Sequence, residues 1–187
     1  MRAPLAAVLG LGFALSEFGL SVFRRSGKGT ASADRGSLWL IWAVILASVC
    51  FAFTLNHALP GWRFGPERAF RALGIALFTL GIAFRWYAIL YLGRFFTVNV
   101  AIAPDHRLID AGPYRIVRHP SYTGSIAAIA GLGICLCNWA SLAVLMIPTL
   151  LVFLRRMRIE EDALVARFGD RYRDYMRRTK RLIPGVY

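Results

Sequence analysis

Apolar blocks alternate with polar connections along most of the chain. The blocks cover residues 3–23, 37–59, 72–92, 121–137 and 139–154. The first three run for 21 to 23 residues, close to the roughly 20 residues with which an α-helix crosses a hydrocarbon core. The last two are shorter, and only Asn138 separates them. The pattern predicts an all-α integral membrane protein of about five transmembrane helices, the last two forming a short helical hairpin.

The connection over residues 93–120 differs from the other connections. It is long, it mixes aromatic, polar and charged residues, and it contains Pro104, Pro113 and Pro120, which prevent one continuous helix. Irregular backbone beside a membrane is tolerated where it covers protein or lines a cavity. We therefore expect this segment to cover a ligand pocket, with Pro120 as the first residue of the fourth helix and His119 at its N-terminus.

The polar tail over residues 155–187 predicts a helix that leaves the membrane near residue 155 and breaks near Gly169. Arg156, Glu160 and Leu164 follow one another at i, i+4 spacing, so they share one helix face. No polar stretch between the apolar blocks is long enough for a separate soluble core. We predict one domain over residues 1–187, in which 1–92 form three transmembrane helices and 93–187 form the catalytic region, with a cytoplasmic C-terminal helix.

Basic residues gather on alternate connections between the blocks. Of 23 Lys and Arg, eighteen lie in 24–36, 93–120 and 155–187, and four lie on the other side. By the positive-inside rule this distribution places the N-terminus outside and the C-terminus in the cytoplasm. The formal net charge of +13 is thus an orientation and lipid signal, and the bilayer rather than nucleic acid is the expected partner. The three cysteines have no partner at metal-ligand spacing, so no metal is expected.

Two charged residues stand inside apolar blocks, Glu17 in the first and Arg85 in the third. Isolated charges in a bilayer are costly and usually pair. We predict an ion pair between the first and third helices, with a structural rather than a catalytic role.

The second half of the chain carries a long polar motif. It reads Gly-Pro-Tyr-Arg-Ile-Val-Arg-His-Pro-Ser-Tyr-Thr-Gly over residues 112–124, then Glu160-Glu161, then Phe-Gly-Asp-Arg-Tyr over residues 168–172. This arrangement resembles the isoprenylcysteine carboxyl methyltransferase family and its phospholipid methyltransferase relatives. The resemblance covers residues 93–187, and the first three helices match only by hydropathy.

The resemblance implies a pocket for S-adenosylmethionine at the cytoplasmic membrane face. The cofactor-binding residues that it implies are Asn99, His106, Arg107, Leu108, Ile109, Tyr114, His119, Pro120, Ser121, Tyr122 and Glu160. It also implies that Arg156 is the catalytic and substrate-binding residue, facing the methyl acceptor. The acceptor is then a hydrophobic or lipid-attached molecule.

The residue types fit such a ligand. A carboxylate suits the cofactor's ammonium group, donors suit its carboxylate, and aromatic faces suit the base and the sulfonium; Glu160, His119 and Tyr114 or Tyr122 supply them. A carboxylate acceptor is already ionised at pH 7 and needs an orienting cation such as Arg156, whereas an amine needs a base. Carboxyl O-methylation is therefore favoured, with phospholipid amine N-methylation and a non-catalytic binding protein as alternatives.

Each of these residues also has a structural interpretation. Arg156 and Glu160 can form an i, i+4 ion pair on a helix surface, worth about 0.3–0.5 kcal/mol. His119 can be a helix-end residue without a ligand. Tyr114 and Tyr122 can be interfacial aromatics.

Overall fold

The chain forms a bundle of α-helices in a computed structural model that describes residues 3–23, 37–96 and 107–187. The helices are α1 (Ala3–Phe23), α2 (Ser37–Ala58), α3 (Glu67–Leu92), α4 (Pro113–Ile116), α5 (Pro120–Cys135), α6 (Trp139–Phe168) and α7 (Asp170–Arg178). Short 3-10 turns follow α2 at Pro60–Trp62 and α3 at Gly93–Phe95. The predicted all-α class is confirmed.

Within the described residues, three helical stretches are long and apolar enough to cross a membrane: Leu38–Ala58, Glu67–Phe95 and Trp139–Phe168. The described apolar part of α1, Val8–Glu17, is shorter, and α5 has 16 residues. The count of five transmembrane helices and the hairpin therefore stay predictions. The apolar block at 139–154 is only the first half of α6, which continues to Phe168 as the tail pattern predicted.

Helices α3 and α5 pack with their backbones in contact. Gly74 and Gly81 on α3 face Gly131 and Gly124 on α5, each pair of glycines two turns apart. A Cβ atom on Gly81 would lie 2.5 Å from the backbone nitrogen of Ala128, and one on Gly124 would lie 2.6 Å from that of Arg85. No side chain fits at these distances, so these glycines allow α3 to pack closely against α5 from Gly124 to Cys135.

Helices α2 and α6 are joined by polar contacts inside the bundle. The Ser141 hydroxyl donates to the carbonyl of Ala52 at 2.7 Å. Asn138, fully buried, caps α6 by accepting from the amide of Ser141 at 3.0 Å and donates to the carbonyl of Leu59 at 2.8 Å. The end of α2 and the start of α6 therefore lie at the same end of the bundle.

Helix α1 contacts α3 through two neighbouring polar residues. Glu17 forms a bidentate ion pair with Arg85, whose Nε and Nη2 lie 2.5 and 2.6 Å from the two carboxylate oxygens. One residue earlier, the Ser16 hydroxyl accepts from the Trp86 indole at 3.0 Å. The predicted Glu17–Arg85 pair is confirmed.

The last residues return to the start of α5. Gly169, whose φ of 58° suits a residue without a side chain, separates the end of α6 from the start of α7. Beyond α7, the carbonyls of Lys180 and Arg181 accept from the amides of Arg118 and His119 at 2.8 and 3.1 Å. We call residues 180–182 the C-terminal strap.

Candidate functional site

A cavity of about 160 Å³ lies where α3, α4, α5, α6 and α7 meet. That space holds on the order of ten water molecules, which suits an organic ligand better than a single structural water. Its polar side carries, among the described residues, four arginines and two glutamates: Arg85, Arg107, Arg118, Arg156, Glu17 and Glu160. Two of these arginines are paired with carboxylates, Arg85 with Glu17 and Arg118 with the neighbouring Glu161.

The structure brings together most of the predicted site residues that it describes. Those lining the cavity are Arg107, Leu108, Ile109, Tyr114, His119, Ser121, Tyr122, Arg156 and Glu160. Pro120 is fully buried in the first turn of α5 and does not line the cavity. Asn99 and His106 lie outside the described residues.

Arg156, Glu160 and Leu164 all line the cavity, as their spacing on α6 predicted. Arg156 is only 2% exposed, so the alternative of a solvent-exposed surface pair is wrong for this residue. The Tyr122 hydroxyl donates to Glu160 Oε2 at 3.2 Å and lies beside the Arg156 guanidinium. The α5 and α6 contributions to the cavity therefore meet at Tyr122.

His119 contacts the second glutamate of the motif rather than the first. Its Nε2 lies 3.1 Å from Glu161 Oε1, which also accepts from Arg118 Nε at 2.9 Å. Arg181 of the C-terminal strap completes this arrangement by bonding both carboxylate oxygens. Glu161 is 3% exposed. We call these four residues the Glu161 cluster: Glu161, Arg118, His119 and Arg181. The cluster holds His119, the residue before α5, with its ring on the cavity wall.

Sequence reasoning did not assign roles to Glu161, Arg118 or Arg181. The first two stand inside the motif, where a second carboxylate beside Glu160 and a second cation beside His119 were available signals. Arg181 had no such signal, because 20 residues separate it from Glu161 and no periodicity links them.

Tyrosines connect α7 to the cavity through α4. The Tyr175 hydroxyl donates to the carbonyl of Tyr114 at 2.6 Å, and the Tyr114 hydroxyl donates to that of Ala88 on α3 at 3.2 Å. Burial raises the pKa of both phenols well above the usual tyrosine value. Both therefore stay neutral donors at physiological pH, and Tyr114 presents its ring to the cavity.

The other side of the cavity is apolar and extends between α1, α2 and α6. It is lined by Phe13, Leu38, Ile41, Trp42, Ile45 and Phe153. Phe13 and Ile45 also belong to the hydrophobic core around Ala52 and Leu132. The cavity thus combines a charged end at the motif with an apolar arm that runs toward the middle of the bundle.

Known proteins share both the sequence and the fold around this cavity. A sequence model of the isoprenylcysteine carboxyl methyltransferase (ICMT) family matches residues 73–166. Protein-S-isoprenylcysteine O-methyltransferase B of Arabidopsis thaliana is 34% identical over 115 residues, covering 60% of this chain and 58% of that protein. Cobalt-zinc-cadmium resistance protein CzcN of Cupriavidus metallidurans is 27% identical over 146 residues, covering 77% and 62%.

A solved structure supports the same relationship. The eukaryotic intramembrane Ras methyltransferase ICMT superposes with a TM-score of 0.64 at 27% identity, over 82% of this chain and 54% of that one. The chain therefore spans a little more than half the length of the relatives that it matches. The family match covers half of this chain and includes α5, most of α3 and α6 up to Ala166. The chain belongs to the isoprenylcysteine carboxyl methyltransferase family.

Proposed function

We propose that this protein is a membrane methyltransferase that uses S-adenosylmethionine to O-methylate the carboxylate of an isoprenylcysteine or a similar hydrophobic molecule. The observation that carries the proposal is the composition of the cavity. Arg156 and Glu160 from α6 lie opposite the His119–Tyr122 turn of α5, and an apolar arm opens from the same space. The names of the relatives support this assignment of reaction and substrate.

The donor set fits the proposed cofactor. Glu160 offers a carboxylate to an ammonium group, and the Tyr114, Tyr122 and His119 rings line the cavity around it. Aromatic faces stabilise a nearby cation such as a sulfonium. Arg107 adds a cation that can receive the cofactor's carboxylate. When bound, S-adenosylmethionine supplies an electrophilic methyl group.

The remaining features suit a carboxylate acceptor with a hydrocarbon part. Arg156 is a buried guanidinium on the cavity wall, and a guanidinium fork matches a carboxylate in geometry. Phe13, Ile41 and Trp42 offer apolar surface for the hydrocarbon. The protein's contribution is to hold the acceptor oxygen in line with the methyl group of the cofactor and to exclude water. Such positioning can lower the activation free energy by roughly 7–11 kcal/mol. From the distribution of Lys and Arg, we propose that this site faces the cytoplasm.

Product chemistry tests the proposal. Purified protein in detergent is incubated with methyl-labelled S-adenosylmethionine and an N-acetylated farnesylcysteine, and the labelled product is treated with alkali. We expect the label to be transferred to the farnesylcysteine. Alkali should then release it as methanol, because a methyl ester hydrolyses in base. The variant Arg156→Ala should raise KM for the acceptor with little change in cofactor Kd, since its guanidinium is assigned to the acceptor.

Other outcomes would redirect the assignment. Alkali-stable label in a phospholipid extract would support amine N-methylation instead. Cofactor binding without label transfer to prenylcysteine or to a native membrane extract would support a binding protein that keeps the fold.

A further inference from the structure

The Glu17–Arg85 pair lines the cavity as well as linking two helices. Both side chains are mostly buried, at 16% and 10% exposed, and both contribute to the cavity wall. A pair that only fastened α1 to α3 would not need to contact the motif. Arg85 does contact it, because its Nη1 donates to the carbonyl of Ser121 at 3.2 Å.

The three contacts of Arg85 use three different nitrogen atoms. Nε and Nη2 engage the two oxygens of Glu17, and Nη1 engages Ser121. A planar guanidinium held at two corners by a carboxylate has its third corner fixed in direction. Glu17 therefore orients the donor that Arg85 presents to α5.

The carbonyl of Ser121 belongs to the first turn of α5, the turn that carries the cavity residues Ser121 and Tyr122. The Ser125 hydroxyl also donates to this carbonyl, at 3.1 Å. Tyr122 continues the path by donating to Glu160. A chain of contacts thus runs from Glu17 on α1, through Arg85 and the α5 turn, to Glu160 on α6.

We propose that Glu17 and Arg85 are positioning residues, which hold the first turn of α5 in the geometry that binds the cofactor. This inference rests on the proposed function. It goes beyond an ion pair that only stabilises the bundle, because it predicts that cofactor affinity and folding stability respond separately to changes in the pair.

The test compares cofactor Kd, by equilibrium dialysis of labelled S-adenosylmethionine, with the melting temperature of each purified variant in detergent. In Glu17→Leu/Arg85→Met both charges are removed together, and apolar replacement of a buried pair is often neutral for folding. We expect a melting temperature near that of the wild type and a Kd raised about tenfold, since the donor to Ser121 is lost. In Glu17→Gln we expect a lower melting temperature and a higher cofactor Kd.

The matched control is Ser16→Ala, which removes the neighbouring α1–α3 hydrogen bond to Trp86 without touching α5. We expect it to lower the melting temperature and leave Kd unchanged. If the double variant does not fold, the cofactor Kd of Arg85→Lys provides the test. In this variant one ammonium nitrogen replaces three separate donors, while the charge pair with Glu17 is kept. A wild-type Kd in the folded double variant, or in Arg85→Lys, would overturn the inference. Absence of cofactor binding by the wild type would instead reject the proposed function.

Discussion

Two consecutive glutamates on α6 have opposite surroundings. Glu161 is 3% exposed and accepts hydrogen bonds from Arg118, His119 and Arg181. In Glu161→Gln, buried guanidinium groups lose their counter-charge, which costs about 3 kcal/mol or more of the free energy of unfolding. We expect a clearly lowered melting temperature in detergent. A stable Glu161→Gln protein would contradict the buried arrangement.

Glu160 is half-buried and lines the cavity. Glu160→Gln keeps an oxygen that can accept from the Tyr122 hydroxyl but removes the negative charge assigned to the cofactor's ammonium group. A hydrogen bond to a charged group is worth about 1.5–3 kcal/mol, so we expect cofactor Kd to rise roughly 10- to 100-fold at unchanged melting temperature. Equilibrium dialysis measures the cofactor Kd of the wild type, of Glu160→Gln and of the paired variant Glu161→Gln. Equal Kd values for the wild type and Glu160→Gln would refute the assignment of Glu160 to the cofactor.

For individual residues, the motif predicted which side chains line the cavity but not all of their hydrogen-bond partners. Arg156, Glu160 and the His119–Tyr122 turn line one cavity, as the helical spacing and the resemblance implied. The bonding of His119 to Glu161 was not foreseen. Side chains at i and i+1 point about 100° apart around a helix, so hydropathy and spacing alone do not say which of two adjacent carboxylates faces the ligand.

The contact between α3 and α5 depends on the glycines at the interface. A Cβ atom at Gly81 would meet the backbone of α5 at 2.5 Å, so Gly81→Ala requires the helices to separate. We expect a loss of about 1–3 kcal/mol in unfolding free energy, read as a lower melting temperature. The control is Gly12→Ala on α1, where no described residue beyond its own helix backbone comes within 4 Å of the added Cβ and alanine is the better helix former. Similar melting temperatures for both variants would refute the close packing.

The C-terminal strap is the element that completes the site from the far end of the sequence. Its carbonyls accept from the amides of Arg118 and His119 and from the Thr123 hydroxyl. Removing residues 180–187 deletes these three bonds, each worth about 1 kcal/mol, and the Arg181 contact with Glu161. We expect a lowered melting temperature together with weaker cofactor binding.

Arg177→Ala, which changes a 74% exposed side chain on α7, is the control for this truncation and should leave both properties nearly unchanged. A truncated protein with the wild-type melting temperature would show that the strap does not hold the start of α5.

Helix positions were easier to predict than helix ends. Pro120 begins α5 as expected, because a first helical residue needs no amide proton. The apolar block ending at residue 154 did not mark the end of α6, since helical hydrogen bonding continues through charged residues. The strap was not predicted, because its pairing joins residues about 60 positions apart and has no local pattern.

In the part of the chain that the structure describes, the polar connections lie at two ends of the bundle. At one end the amide of Phe64 donates to the carbonyl of Cys137 at 3.2 Å, joining the connections before α3 and before α6. At the other end lie the cavity motif, the Glu161 cluster and the C-terminal strap. The second end carries the larger share of the described Lys and Arg residues, and from the positive-inside rule we propose that it faces the cytoplasm.

Cysteine labelling in intact cells tests this orientation. Arg63→Cys places a thiol at the first end, on a residue whose side chain is 40% exposed, and Arg177→Cys places one at the second. We expect a membrane-impermeant maleimide to label the first variant in intact cells and the second only after permeabilisation, relative to the wild-type background. The reverse pattern would invert the assigned orientation.

The strap has a consequence for how the protein is made. The amides of Arg118 and His119 donate to the carbonyls of Lys180 and Arg181, and the Thr123 hydroxyl donates to that of Leu182. Residues 180–182 must therefore be made before the start of α5 can adopt its final arrangement. The helices before the strap can enter the bilayer and pack earlier, one after another, as they leave the ribosome. Ligand binding is therefore expected only after residues 180–182 have been made and have joined the start of α5.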